Sequence, residues 1–144
     1  MYNTSVRIIK DEHLAEDIMQ EAFLSAFTKI DTYNGEVTFG AWLKRIVINK
    51  SIDYLKKQKI KLSELGEEHE FITEEEDWKY ENDGEVEKVR NAINRLADGY
   101  RIVLSLYLLE GYDHEEIGQI LEISSSTSRS QFTRAKQKLI QLLN

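Results

Sequence analysis

The stretch DHEEIGQILEISSSTSRSQFTRAKQKL, Asp113 to Leu139, reads as two short helices joined by a tight corner. Asp113 is placed to cap the first, and Glu116 three residues on completes a capping box. Ile117, Ile120 and Leu121 form one apolar face. Ser124 opens a second helix, whose Phe132, Ala135 and Leu139 fall at i, i+3 and i+7 and point inward. The outer face carries Ser125, Ser126, Arg129, Ser130, Gln131 and Arg134. A polar, cationic helix held against a supporting helix is what a DNA major groove accepts. DNA is therefore the leading candidate ligand.

Two more helices precede this pair. Val86, Val89, Ile93 and Leu96 mark one, ending near Asp98-Gly99, and Tyr100 to Leu109 is a very apolar one stopped by Gly111. Residues 88–144 are thus expected to form a four-helix unit. Further toward the N-terminus, Leu14, Ile18, Ala22, Phe23, Ala26, Phe27 and Ile30 recur mostly three or four apart, the period of a helix with one buried face. After a turn at Asp31–Gly35, a longer helix from about Thr38 to Lys57 presents Phe39, Trp42, Leu43, Ile46, Val47 and Leu55. Lys44, Lys50, Lys56, Lys57 and Lys59 lie toward its outer face and C-terminal end. The helix dipole favours lysines there, so capping and solvation are an alternative to ligand contact.

Between the helical ends lies Ser63 to Glu87, acidic and poor in aliphatics, which reads as a linker with a short helix capped by Thr73 and Glu76. Phe71, Ile72 and Trp78 are too few to build a core. As a flexible coil, these 25 residues span roughly 28 Å, and about 80 Å when extended. One or two turns of duplex, at roughly 34 Å each, fall within that reach.

Charge follows the same division. Residues 1–62 hold ten Lys/Arg against eight Asp/Glu, and residues 88–144 eight against six, so each end is +2. The middle holds one lysine against twelve acids, a net −11, and carries all of the excess behind the overall −7 of the 144-residue chain. A global charge is misleading for such a chain. There is no cysteine, which excludes disulfides and thiolate metal sites and fits a reducing cytoplasm. No apolar run approaches a membrane span and no signal-peptide pattern opens the chain. With no proline and few alternating β-branched runs, the fold class is all-α: two small helical domains, 1–62 and 88–144, joined by the acidic linker 63–87.

Taken together, these segments resemble the extracytoplasmic-function (ECF) group of bacterial RNA polymerase sigma factors, of the sigma-70 family. AEDIMQEAFLSAF (Ala15–Phe27) is similar to that family's polymerase-binding helix. DTYNGEVTFGAWLKRIVINKSIDYLKK (Asp31–Lys57) is similar to its −10 promoter-melting element. LADGYRIVLSLYLLEGYDHEEIGQILEISSSTSRSQFTRAKQKL (Leu96–Leu139) resembles its −35-reading domain. A helix-turn-helix alone is shared by many regulators; the order polymerase helix, F-x-x-W-L-x-R-I, linker, helix-turn-helix is specific.

The resemblance implies roles for named residues. Asp17, Gln20 and Glu21 would meet the clamp of the polymerase β′ subunit, where the bare residues suggest only a solvated helix face. Tyr33, Asn34, Gly35 and Thr38 belong to a loop that would receive a base flipped from the non-template strand; as bare sequence, Asn34-Gly35 is a turn signal. Phe39, Trp42 and Ile46 are expected to pack, and Arg45, Asn49, Lys50 and Lys56 to meet the duplex. Asn49, in the apolar run IVIN, either finds an internal hydrogen bond or faces a ligand. Ser125, Ser126, Arg129, Ser130, Gln131, Thr133 and Arg134 match positions contacting −35 bases and phosphates. Lys136 and Lys138 are expected to neutralise phosphates. The implied partners are core RNA polymerase (β′ clamp and β subunit), promoter DNA and an anti-sigma factor, with no cofactor, no metal and no small-molecule substrate.

Three departures from the family pattern stand out. About a helix-length that the family carries before the segment matching Met1–Lys10 is missing, so Phe23, Phe27 and Val47 are expected to be incompletely covered. Ser128 stands at an inward position where the family has an aliphatic residue. Glu122 replaces a turn glycine and would strain the corner at positive φ. Two other functional classes remain open: a truncated polymerase-binding decoy and a stand-alone helix-turn-helix regulator. An enzyme is disfavoured, because His13, His69 and His114 are isolated in sequence and neither H-E-x-x-H nor a phosphate-binding glycine loop is present.

Overall fold

The computed structural model describes residues 1–64 and 84–144, with side chains to residue 58 and from residue 84. The expected helix capped by Thr73 and Glu76, and Phe71, Ile72 and Trp78, lie outside the described residues. Among these residues there are helices and turns but no strands, as an all-α chain requires. The chain divides into two compact units, Met1–Gly66 and Glu67–Asn144.

The first unit holds three helices: α1 (Tyr2–Ile9), α2 (Glu12–Thr28) and α3 (Phe39–Glu64), each packed on the other two. Helix α1 has no counterpart in the sequence reading, because half of its buried face is polar: Thr4 and Ser5 go inside with Ile8 and Ile9. Those small side chains let α1 approach α3 closely. The Ser51 hydroxyl donates to the Val47 carbonyl at 2.8 Å and lies 3.0 Å from the Ser5 hydroxyl, so the buried Ser5–Ser51 pair is satisfied. Helix α1 ends in a left-handed Lys10 at φ 62°, and Asp11 caps α2 by accepting from the Leu14 N–H at 3.1 Å. Tyr2 lies beside the start of α2: its phenol is raised above the usual value by desolvation first, then by the Glu12 and Glu16 carboxylates.

Helix α2 buries Ala15, Ile18, Ala22 and Ala26, while α3 buries Leu43, Val47, Ile48, Ser51 and Ile52. Val47 is fully covered, contrary to the expectation from the sequence. Phe23 and Phe27 are not: they are 40% and 74% exposed. The buried stripe of α2 is the alanine stripe, one position round the helix from the phenylalanines. A single 3-10 turn (Ile30–Thr32) leads into the loop 33–38 before Thr38 caps α3, accepting from the Ala41 N–H at 3.2 Å.

The second unit is a four-helix bundle of α4 (Glu85–Asn94), α5 (Asp98–Leu108), α6 (His114–Leu121) and α7 (Ser125–Leu143). Ala92, Ile93, Leu96, Leu104, Ala135 and Leu139 form its core, with Tyr100 and Phe132 against it. Val86 and Val89 do not join this core and are exposed; α4 buries only its last turns. Six consecutive residues of α5, Arg101 to Leu106, are buried. Arg101 is 1% exposed, and its guanidinium meets the Asp98 carboxylate at 2.6 Å. A buried cation is tolerable only with such a partner.

The corner between α6 and α7 is built from backbone. Asp113 and Glu116 form the capping box, Asp113 accepting from the Glu116 N–H at 2.8 Å and Glu116 from the Asp113 N–H at 3.2 Å. Glu122 ends α6 in the left-handed region at φ 58°, and the following Ile123 N–H reaches back to the Gly118 carbonyl at 3.0 Å. Gly118 passes so close to the turn that a Cβ there would sit 2.7 Å from the Ile123 carbonyl oxygen. Since that neighbour is backbone, it has no side-chain freedom to yield. Gly118→Ala is therefore expected to cost about 1–3 kcal/mol by forced backbone displacement. Glu122→Gly is expected to gain about 1 kcal/mol by removing the left-handed penalty. Thermal melts of the two variants moving in opposite directions check this; a neutral Gly118→Ala would refute the tight corner.

Candidate nucleic-acid interface

Helix α7 turns its polar side outward. Ser124 caps it, accepting from the Thr127 N–H at 3.0 Å. Ser128, Ala135 and Leu139 are buried on one side, leaving Ser126, Arg129, Ser130, Thr133, Arg134 and Lys136 exposed. Ser125 and Gln131, expected on the outer face, are partly buried: helix geometry sets both on its flanks rather than its crest. The Arg129 guanidinium lies 3.4 Å from the Ser125 hydroxyl, and the Lys136 ammonium sits 5.0 Å from the Phe132 ring centre. Both cations are therefore held near the helix surface by weak local contacts that a phosphate or base edge could replace.

Ser128 explains its own departure from an aliphatic residue. Fully buried, its hydroxyl lies 2.8 Å from His114 Nδ1. The His114 ring stacks on Tyr107 at 4.7 Å, and Phe132 packs against both. His114, isolated in the sequence, thus joins α5, α6 and α7. No sequence periodicity could show this, since the three rings come from three helices.

In the first unit, the candidate residues of α3 fall on one stripe. Arg45, Asn49 and Lys56, with Trp42 before them, recur at i, i+4, i+11 along one side of the helix, where Asn49 is exposed and Trp42, Arg45 and Lys56 are partly buried. Asn49 is exposed, which settles the choice between internal partner and outward group in favour of the latter. Lys50 lies on the flank, half buried. Phe39 is 47% exposed rather than packed inside. It joins Tyr33 and Trp42 in a surface trio with ring centres 5.3–5.8 Å apart, at the mouth of the loop 33–38. Asn34, Gly35 and Thr38 of that loop are exposed, and Gly35 takes φ 77°.

Asp17, Gln20 and Glu21 are all exposed on α2 at i, i+3, i+4. One helical repeat further, Leu24 and Phe27 continue that face at 69% and 74% exposure. The sequence reading assigned Leu24 no role, whereas the incomplete cover it expected for Phe27 is what the structure has; the buried alanine stripe beside it is the reason. Phe23, Ala26, Phe27, Ile30, Phe39 and Leu43 border an open apolar groove of about 100 Å³. Among the described residues no helix is long and apolar enough to cross a membrane, and no three His, Cys, Asp or Glu side chains are grouped to hold a metal ion.

This architecture has known relatives. The Sigma-70 region 2 family matches residues 1–60, and the Sigma-70 region 4 family matches residues 86–139. The chain is 30% identical over 145 residues to the ECF RNA polymerase sigma factor SigM of Bacillus subtilis, covering all of this chain and 88% of that protein. It is 30% identical over 150 residues to SigW of the same organism, covering 96% and 80%. A solved structure, the sigma factor RpoE with the anti-sigma factor NepR from Bartonella quintana, superposes with a TM-score of 0.68 at 22% identity, covering 99% of this chain and 88% of that one. The chain belongs to the ECF RNA polymerase sigma factors.

Membership leaves Ser128 as a local variation with a testable role. Ser128→Ala, which unpairs His114 Nδ1, is expected to lower stability by about 1 kcal/mol. Ser128→Leu, which forces bulk into a closed site, is expected to cost about 1–3 kcal/mol. Chemical denaturation checks both; equal stability of all three proteins would show that the hydroxyl pair carries no weight.

Proposed function

We propose that this chain binds core RNA polymerase and directs it to promoters. The α2 face of Asp17, Gln20 and Glu21 takes the β′ clamp. The loop 33–38 receives an unstacked base of the non-template strand in the −10 element, and Arg45, Asn49, Lys50 and Lys56 hold the adjoining duplex. On α7, Arg129, Ser130, Gln131, Thr133 and Arg134 meet the −35 element, flanked by Ser125 and Ser126, and the chain also engages the β subunit. Lys136 and Lys138 neutralise phosphates. The segment 63–87 serves as an anionic tether between the two units. The chain has no catalysis of its own, works in the cytoplasm, and is withheld by an anti-sigma factor.

The observation that carries this reading is the Trp42, Arg45, Asn49, Lys56 stripe beginning beside an exposed loop. A helix-turn-helix regulator needs no such second nucleic-acid surface. Bases are distinguished by directional hydrogen bonds, whereas phosphates supply salt-dependent attraction. Both kinds of residue are present on α7.

Runoff transcription with core polymerase tests the whole proposal. Initiation at a defined start is expected; polymerase binding without transcript would instead support the decoy. Arg129→Ala and Arg134→Ala are expected to change base preference at the −35 element, with about 1–3 kcal/mol lost per good base contact. Lys138→Ala is expected to weaken all sequences alike and reduce the salt slope by about one. Equal losses on every sequence for all three variants would leave only electrostatic attraction.

A further inference from the structure

The loop 33–38 is closed by its own first residue. Tyr33 leaves the 3-10 turn in an extended conformation, φ −71° and ψ 116°, and its hydroxyl donates to the Val37 carbonyl four residues on. Its ring stands edge-on to Phe39, 85° between planes, and tilts against Trp42 at 45°. Inside the arc, the Asn34 side-chain oxygen accepts from the Glu36 N–H at 3.0 Å, and Gly35 has open space where a Cβ would stand. The path from Asn34 to Val37 is thus set by two side-chain bonds, with the Tyr33 ring anchored on the first turn of α3. A ring committed to two aromatic neighbours and one carbonyl is poorly placed to serve as a stacking platform for a base.

We propose that Tyr33 is a positioning residue: its hydroxyl ties the loop shut so that the exposed Asn34–Glu36 rim is preformed for an unstacked base. This reassigns Tyr33 from the base contact expected from sequence to a strut acting through the loop. It rests on the strand-capturing role proposed above. A preformed rim loses less conformational freedom on binding and rejects a misfitting base by rigidity, whereas an untied rim adapts to any base. The anchor also has a sequence logic. Phe39 and Trp42 are three apart on α3, so both rings lie on the side where Tyr33 enters.

The test uses the full chain with core polymerase and a duplex library randomised across the −10 element. Heparin-resistant complexes are recovered and sequenced. Tyr33→Phe keeps the ring trio and removes only the hydroxyl. It is expected to retain wild-type affinity for core polymerase and a wild-type melting temperature, while base enrichment at the most selective −10 position falls about fivefold, the scale of one hydrogen bond. Unchanged enrichment, or a loss uniform across all bases, overturns the positioning role. The wild-type arm separates the two layers. If wild-type holoenzyme recovers no −10 sequence, the strand-capturing role falls and Tyr33's part with it. If the wild type selects and Tyr33→Phe selects equally, only the positioning role falls.

Discussion

The backbone approach at Gly118 controls the orientation of α7. A helix can cross the start of the next at this distance only where no Cβ stands between them, and the left-handed turn at Glu122 redirects the chain within two residues. Capping at Asp113 and Ser124 then fixes where each helix begins. The outward face of α7 is a consequence: once Ser128, Ala135 and Leu139 are committed to the interior, the arginines can point only away from it. The corner tolerates an L-residue at Glu122 because caps and core offset a local penalty of order 1 kcal/mol.

A related constraint shapes the first unit. Ser5, Ala15, Ala22, Ser51 and Val47 are fully buried together with Ile8 and Ile48, so helices α1, α2 and α3 meet through small and aliphatic side chains and no aromatic ones. Close packing of this kind fills the interior without the larger aromatic residues. Phe23, Leu24, Phe27, Ile30 and Phe39 are left on or near the surface, a concentration of apolar area that marks interaction surfaces more often than monomer surfaces. That interior leaves the apolar groove open and Phe39 free to join the aromatic anchor of the loop 33–38.

Three buried polar groups are paired, while the buried Ser105 hydroxyl finds no hydrogen-bond partner. Ser5 pairs with Ser51, Ser128 with His114 and Arg101 with Asp98. Each pair joins or braces helices where an apolar contact would hold with less directional specificity. Arg101 is the most demanding, since it buries a charge and the Asp98 carboxylate is the opposite charge that offsets it.

Much was legible in the chain itself. The caps at Asp113 and Ser124, the helical periods, the division into basic ends and acidic middle, and the family order of motifs are local or statistical properties, written in spacing and composition. Helix α1 was not legible, because buried serine and threonine carry no hydrophobic period. Nor was the outward position of Phe39 or the full burial of Val47: an apolar side chain advertises its chemistry but not which of two adjacent stripes a neighbouring helix will cover. The Ser128–His114 pair, the Arg101–Asp98 burial and the Tyr33 strut depend on which side chains face one another once the helices pack, and only tertiary contact decides that.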